Sequence, residues 1–163
     1  MAADATFAGH HGGRAAPVRE AMAAAVAGAQ GPALVAIHQQ PQRFRRTTHW
    51  PPGLPGPDAD ALLDALAAAN PATLLTSGHT HRHRRRRHGP LVLTEVGATS
   101  DYPGTWAGYI VHAGGITQTV RRVAAPAALR WTDSTRHAFL GTWGTWAAWR
   151  REDRCFSHTW PDR

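Results

Sequence analysis

An α/β fold, a mixed sheet with helices on its faces, is what this sequence predicts, on three observations. Apolar residues alternate between helical and strand spacing over residues 17–76. A Gly114-Gly115 step divides two β-rich runs further on. The 163 residues, 42% hydrophobic and 18% charged, suffice for one globular domain with a single core and match neither a disordered nor a membrane composition.

Taken in order, residues 1–16 read as a polar lead-in to the first helix, without the apolar stretch of a secretory signal. Val18, Met22 and Val26 then recur every fourth residue, and Pro17 suits a first helical turn, which predicts a helix over 17–29. Gly31-Pro32 ends it. The apolar, partly β-branched run 33–37 is a short buried strand, so His38 stands at its C-terminal tip. Five prolines and two glycines in 39–57 break all periodicity and predict a long loop of binding or lid character, carrying Arg43, Arg45, Arg46, His49 and Trp50.

Asp58 suits an N-cap, and Leu62, Leu63 and Leu66 give a second helix that stops before Asn70-Pro71. Residues 73–76 are a second strand, running directly into Gly78-His79-Thr80-His81. Residues 91–96 are a third, and 106–113 with 116–123 form a hairpin closed by Gly114-Gly115. From 126 to 163 a tail rich in tryptophan (Trp131, Trp143, Trp146, Trp149, Trp160) has weak helical character and no defined end, and reads as an extension to a 17–125 domain.

All 18 basic residues are arginine, against 11 acidic ones, for a net charge of +7. Arginine favours phosphates, carboxylates and aromatic faces. The single cysteine, Cys155, excludes an internal disulfide and a thiolate-built zinc site, so histidine must supply any metal site. Cys155 and His158 lie three apart, but no pattern supplies the oxyanion hole or orienting carboxylate a thiol nucleophile needs. The longest apolar run, 21–29, is far short of a membrane span, and the expectation is a cytoplasmic chain with no membrane partner.

His79, His81 and His83 stand at intervals of two directly after a strand and a glycine. In a turning or extended segment, alternate residues point the same way, so their imidazoles can converge on an ion. Histidines in arginine-rich stretches are commonly solvated; the position at a strand's carboxyl end, where open α/β sheets bind ligands, favours a site here. His38 occupies the neighbouring strand tip, about 4.8 Å away by strand spacing.

These elements resemble the later part of the calcineurin-like metallophosphoesterases: a helix, the strand and histidine of "VAIHQQP", a loop and helix, a strand into "GHTH", and closing strands in "LTEVGATSDYPGTWAGYIVHAGGITQTVRR". The resemblance covers roughly residues 13–125. It implies part of a four-layer α/β/β/α sandwich and a dinuclear hydrolase that cleaves phosphomono- or diesters through a metal-activated water. It further implies that His38 and His79 serve one ion and His81 the other, the ions being Mn, Fe, Zn or Ni.

The carboxylate-bearing motifs of that family's first half (Asp-x-His, Gly-Asp-x-x-Asp, Gly-Asn-His-Asp/Glu) do not occur, and Gly9 to Arg14 offers only a histidine pair. The chain therefore looks like the C-terminal half of such an enzyme. Three neutral histidines alone would hold a single ion weakly, and turnover by this chain alone is doubtful. A truncated sheet would also expose apolar edge surface, so self-association, or pairing with a missing N-terminal half, is expected.

Residues 82–88 (RHRRRRH) are expected to be a solvated loop that modestly steers phosphate, with Arg84, and Arg43 in the long loop, as candidate substrate-binding residues. Two other readings remain open. One is an Arg-rich module for polyanions or nucleic acid, less favoured because no aromatics interleave the arginines; the other is an inactive structural remnant.

Overall fold

Three segments, each apolar on both faces, make the centre of the molecule: β2 (Ala33–Ile37), β3 (Thr73–Ser77) and β5 (Leu91–Glu95). They lie side by side and parallel, which requires both faces to be covered. The computed structural model describes residues 2–3, 13–44, 46 and 52–160. A two-residue strand, β1 (Ala2–Ala3), adds parallel to β2, and β4 (Arg84–His88) adds antiparallel to β5, giving the order β1-β2-β3-β5-β4. The sheet is therefore mixed, as expected.

Alternation along each strand sorts its side chains between two cores. Val35, Ile37, Leu75, Leu91 and Leu93 face helices α1 (Arg19–Ala27) and α2 (Gly56–Ala69), which bury Met22, Val26, Leu62, Leu63 and Leu66 against them. Each such leucine contributes roughly 1.5–3 kcal/mol of burial. Helix α2 begins two residues before Asp58, because Pro57 fits the first turn, where no N–H is needed. Asp58 instead accepts a hydrogen bond from the Ala15 amide, tying the start of α2 to the segment before α1.

Leu34, Leu74 and Val92 point the other way, onto a second, antiparallel sheet of β6 (Thr105–His112), β7 (Gly115–Arg122) and β8 (Phe156–Thr159). Ile116, Tyr109, Phe156 and Trp160 fill that interface, and the Tyr109 hydroxyl meets Thr76 Oγ1 at 2.7 Å. The described residues thus stack as helices, mixed sheet, antiparallel sheet. The outer face of the second sheet presents Trp106 and Ile110 to solvent, at 49% and 59% exposure, so the expected fourth layer is not among the described residues.

Two segments differ from expectation. The arginine run is a strand, not a loop, because Gly89-Pro90 closes a two-residue hairpin: Gly89 takes the positive φ (54°) and Pro90 supplies its fixed φ. Arginine there also suits an edge, where charge discourages pairing with another chain. The tail is ordered into α3 (Pro126–Ser134), a 3₁₀ turn (Thr135–His137), α4 (Thr142–Ala148) and α5 (Arg151–Arg154), and its end supplies β8. Gly115 is where β8 packs closest: a Cβ there would lie 2.3 Å from the His158 carbonyl oxygen. The β6–β7 turn itself is Ala113-Gly114, with His112 opposite Gly115. No helix among the described residues is long and apolar enough to cross a membrane.

Candidate functional site

Strands β2 and β3 end in step, Ile37 opposite Ser77, so His38 and Gly78 leave the sheet together, and the Gly78 amide donates to the His38 carbonyl at 3.1 Å. The chain then takes left-handed conformations at His79 (φ 67°) and His81 (φ 54°). Such a conformation costs a non-glycine residue on the order of 1 kcal/mol and persists where surrounding contacts impose it. Thr80, between them, supplies those contacts. Its amide donates to Gly78 O (2.8 Å), its hydroxyl to Glu95 Oε2 (2.8 Å), and its carbonyl accepts from the Trp146 indole (3.2 Å).

The result is a pair of facing imidazoles. His79 Nδ1 lies 3.0 Å from His38 Nε2, the rings edge to face with centroids 4.9 Å apart. The other nitrogen of His79, Nε2, lies 3.1 Å from the Pro52 carbonyl oxygen. A carbonyl only accepts, so Nε2 carries the proton, and neutral His79 offers its lone pair at Nδ1, towards His38. This is the outer-shell arrangement by which metal-binding histidines are oriented. Two nitrogens on one tetrahedral zinc lie about 3.3 Å apart, from ligand distances of about 2.05 Å. The observed 3.0 Å is a hydrogen bond, His38 Nε2–H donating to His79 Nδ1, and the two nitrogens need part by only a few tenths of an ångström to share an ion once that proton is lost.

His81 takes other partners. Its Nδ1 donates to Asp101 Oδ2 at 2.6 Å and its ring meets Trp143 of α4 edge-on. The Asp101 hydrogen bond, opposed by partial burial and aided by the carboxylate's charge, raises the His81 pKa above its ordinary value. In the neutral form Nε2 carries the lone pair, again with an oxygen orienting the ring. Of the three predicted ligands, then, His38 and His79 come into direct contact, and His81 is held separately on the same loop. Among the described residues, no group of three or more His, Cys, Asp or Glu side chains is gathered closely enough to hold an ion.

His83 ends the His-x-His-x-His run in the interior. Its Nε2–H donates to Thr105 Oγ1 at 2.9 Å, and Nδ1 accepts from the Gly97 amide at 3.4 Å. Burial, with the nearby Arg154 charge, pushes its pKa down to about 4, so it is neutral and structural. Gly97 is required beside it, since a Cβ there would come within 2.8 Å of Nε2.

Glu95 is the residue the sequence reading missed. Buried at the end of β5, it receives Thr80, the Nε of Arg82 at 3.2 Å and the Nε of Arg84 at 2.6 Å. Arg82 is further stacked on Trp146, 4.0 Å from the ring centroid. An acidic residue closing an otherwise apolar strand, LVLTE, was the available signal for it; Asp101 offered none. Arg84 is therefore engaged with Glu95, while Arg43 is exposed over Phe44. Arg45, His49 and Trp50 lie outside the described residues, as do His10 and His11.

No protein-family model and no curated protein matches this sequence.

The donor set suits a divalent transition metal in kind, imidazole nitrogens of which those of His79 and His81 have their protons held on the other ring nitrogen, and the described residues add no carboxylate ligand to the His38–His79 pair.

Proposed function

We propose that the strand-tip histidines form a divalent-metal site of a phosphoester hydrolase. His38 and His79 hold one ion through Nε2 and Nδ1, and His81 offers Nε2 to a second. The single observation that carries the reading is the 3.0 Å approach of His79 Nδ1 to His38 Nε2, with the tautomer of His79 set by the Pro52 carbonyl. The resemblance of the Gly78-His79-Thr80-His81 element to that of the calcineurin-like metallophosphoesterases supports it; the four-layer sandwich of that family is proposed with it, three of the layers being among the described residues.

A divalent ion there supplies Lewis acidity towards a phosphoryl oxygen and acidifies water at neutral pH. The chain's own contribution is orientation. Pro52 holds the His79 proton on Nε2, Asp101 holds the His81 proton on Nδ1, and Glu95 fixes the loop through Thr80. For His38 to ligate, its proton must sit on Nδ1, so binding shifts one tautomer. Carboxylates to balance a dinuclear centre would come from a partner or from residues outside those described.

The test is calorimetric titration with Zn²⁺ and Mn²⁺, beside turnover of bis-p-nitrophenyl phosphate with and without chelator. Saturable binding that weakens at least tenfold in His38→Ala and His79→Ala is expected. Binding unchanged in both variants removes the site and the hydrolase with it; binding without turnover keeps the site and leaves metal binding as the function of this chain by itself.

A further inference from the structure

The second sheet carries a site of a different kind, independent of the histidines. At the end where β6 begins and β7 ends, a cleft of about 250 Å³ opens, lined by Arg121 and Arg122 of β7, Arg151 and Arg154 of α5, Thr105 and Tyr102. Sites for drug-sized ligands run to roughly 300–1,000 Å³, so this one suits a small ligand.

Three arginine side chains, Arg122, Arg151 and Arg154, gather positive charge at this cleft, while Arg121, opposite Trp106 in the ladder, projects from the outer face of the sheet and contributes its backbone edge. Arg122 alone has carboxylate compensation: it pairs with Asp133 (2.8 Å), donates through Nε to the Pro103 carbonyl (2.7 Å) and packs over the Tyr102 ring. Among the described residues Arg121, Arg151 and Arg154 form no ion pair. Helix α5 does contain Glu152 and Asp153, but neither lines the cleft, and Asp153 is buried towards Arg85 of β4.

The framework is rigid. Arg151 and Arg154, three apart, share a face of α5. Buried Gln118 of β7 donates to the carbonyls of Asp153 (3.3 Å) and Arg154 (2.9 Å), fixing α5 against the strand. One immobilised guanidinium, that of Arg122, and the two arginines of α5 thus border the cleft beside Tyr102. Guanidinium forks match phosphate oxygens in pairs, and the charge of the cleft exceeds what a single carboxylate would balance.

We propose that this cleft binds a short oligophosphate chain, free or as the phosphate tail of a nucleotide. Cys155, the only cysteine of the chain, is exposed and lines the same cleft, which makes its thiol a local reporter.

The experiment follows alkylation or disulfide exchange at Cys155 with tripolyphosphate, ATP or citrate present. Tripolyphosphate should slow the reaction saturably, by about fivefold or more, and citrate much less. Protection by ATP equal to that by tripolyphosphate also supports the site and shows that an esterified chain fits. Arg151→Ala with Arg154→Ala should weaken tripolyphosphate binding about tenfold or more, while Arg19→Ala with Arg130→Ala, on α1 and α3, should leave it unchanged. Equal loss in both pairs, no protection in the wild-type chain, or oligonucleotide binding that tripolyphosphate does not displace overturns the proposal. The wild-type protection assay stands even if the α5 variant fails to fold.

Discussion

The Thr80 hydroxyl donates to Glu95 Oε2 across 2.8 Å, and with this bond the strand β5 holds the histidine loop that follows its neighbour β3. Glu95 is at most 5% exposed and also takes the charges of Arg82 and Arg84, so the loop and the arginine strand share a single buried carboxylate.

Removing that charge should be severe. Glu95→Gln leaves two guanidinium groups partly or fully buried without their counter-ion, and breaking a buried pair on one side costs about 3–5 kcal/mol. Urea denaturation should show a large fall in midpoint with little change in slope. A loss under about 1 kcal/mol would mean that the arginines find water instead.

His83 makes the fold acid-sensitive in a defined window. Its native pKa, about 4, lies below the ordinary 6.5, so the unfolded chain binds the proton first as pH falls. The stability that neutral His83 contributes is complete above about pH 6.5 and is lost progressively down to about pH 4. A shift of this size corresponds to about 3 kcal/mol. Denaturation midpoints at pH 7, 5.5 and 4.5 measure it, and His83→Gln should flatten the part of the profile that belongs to this residue.

The His81–Asp101 pair works with the opposite sign. The raised pKa means that its stabilisation is present below the ordinary value and fades as pH rises through the native one. In Asp101→Asn the histidine pKa should fall towards its ordinary value in an NMR titration. An unchanged His81 titration would show that Asp101 does not govern it.

Much of the fold was legible because the elements that position the site are locally consistent. Val18, Met22 and Val26 mark α1, and ALVAI and the strand before Gly78 mark β2 and β3 with their histidines at the tips. The arginine strand was not legible: its residues carry no apolar alternation, and its pairing depends on the Gly89-Pro90 turn and on Glu95 across the register. Nor was the tail, whose β8 is defined by what it packs on, Phe156 and Trp160 over Val92 and Ile116.

Periodicity placed His79 and His81 on one loop. It could not separate them from His83, because the left-handed turns at His79 and His81 decide which way each ring points.

Pairing of His38 and His79 on one metal ion is measured at the atoms concerned by ¹⁵N NMR of histidine-labelled protein during zinc titration. Zinc should move the resonances of His38 Nε2 and His79 Nδ1 together, while His79 Nε2 keeps its proton on the Pro52 carbonyl. Zinc that leaves both of those nitrogens unshifted, or that shifts only other histidines such as His88 or His112, would contradict it.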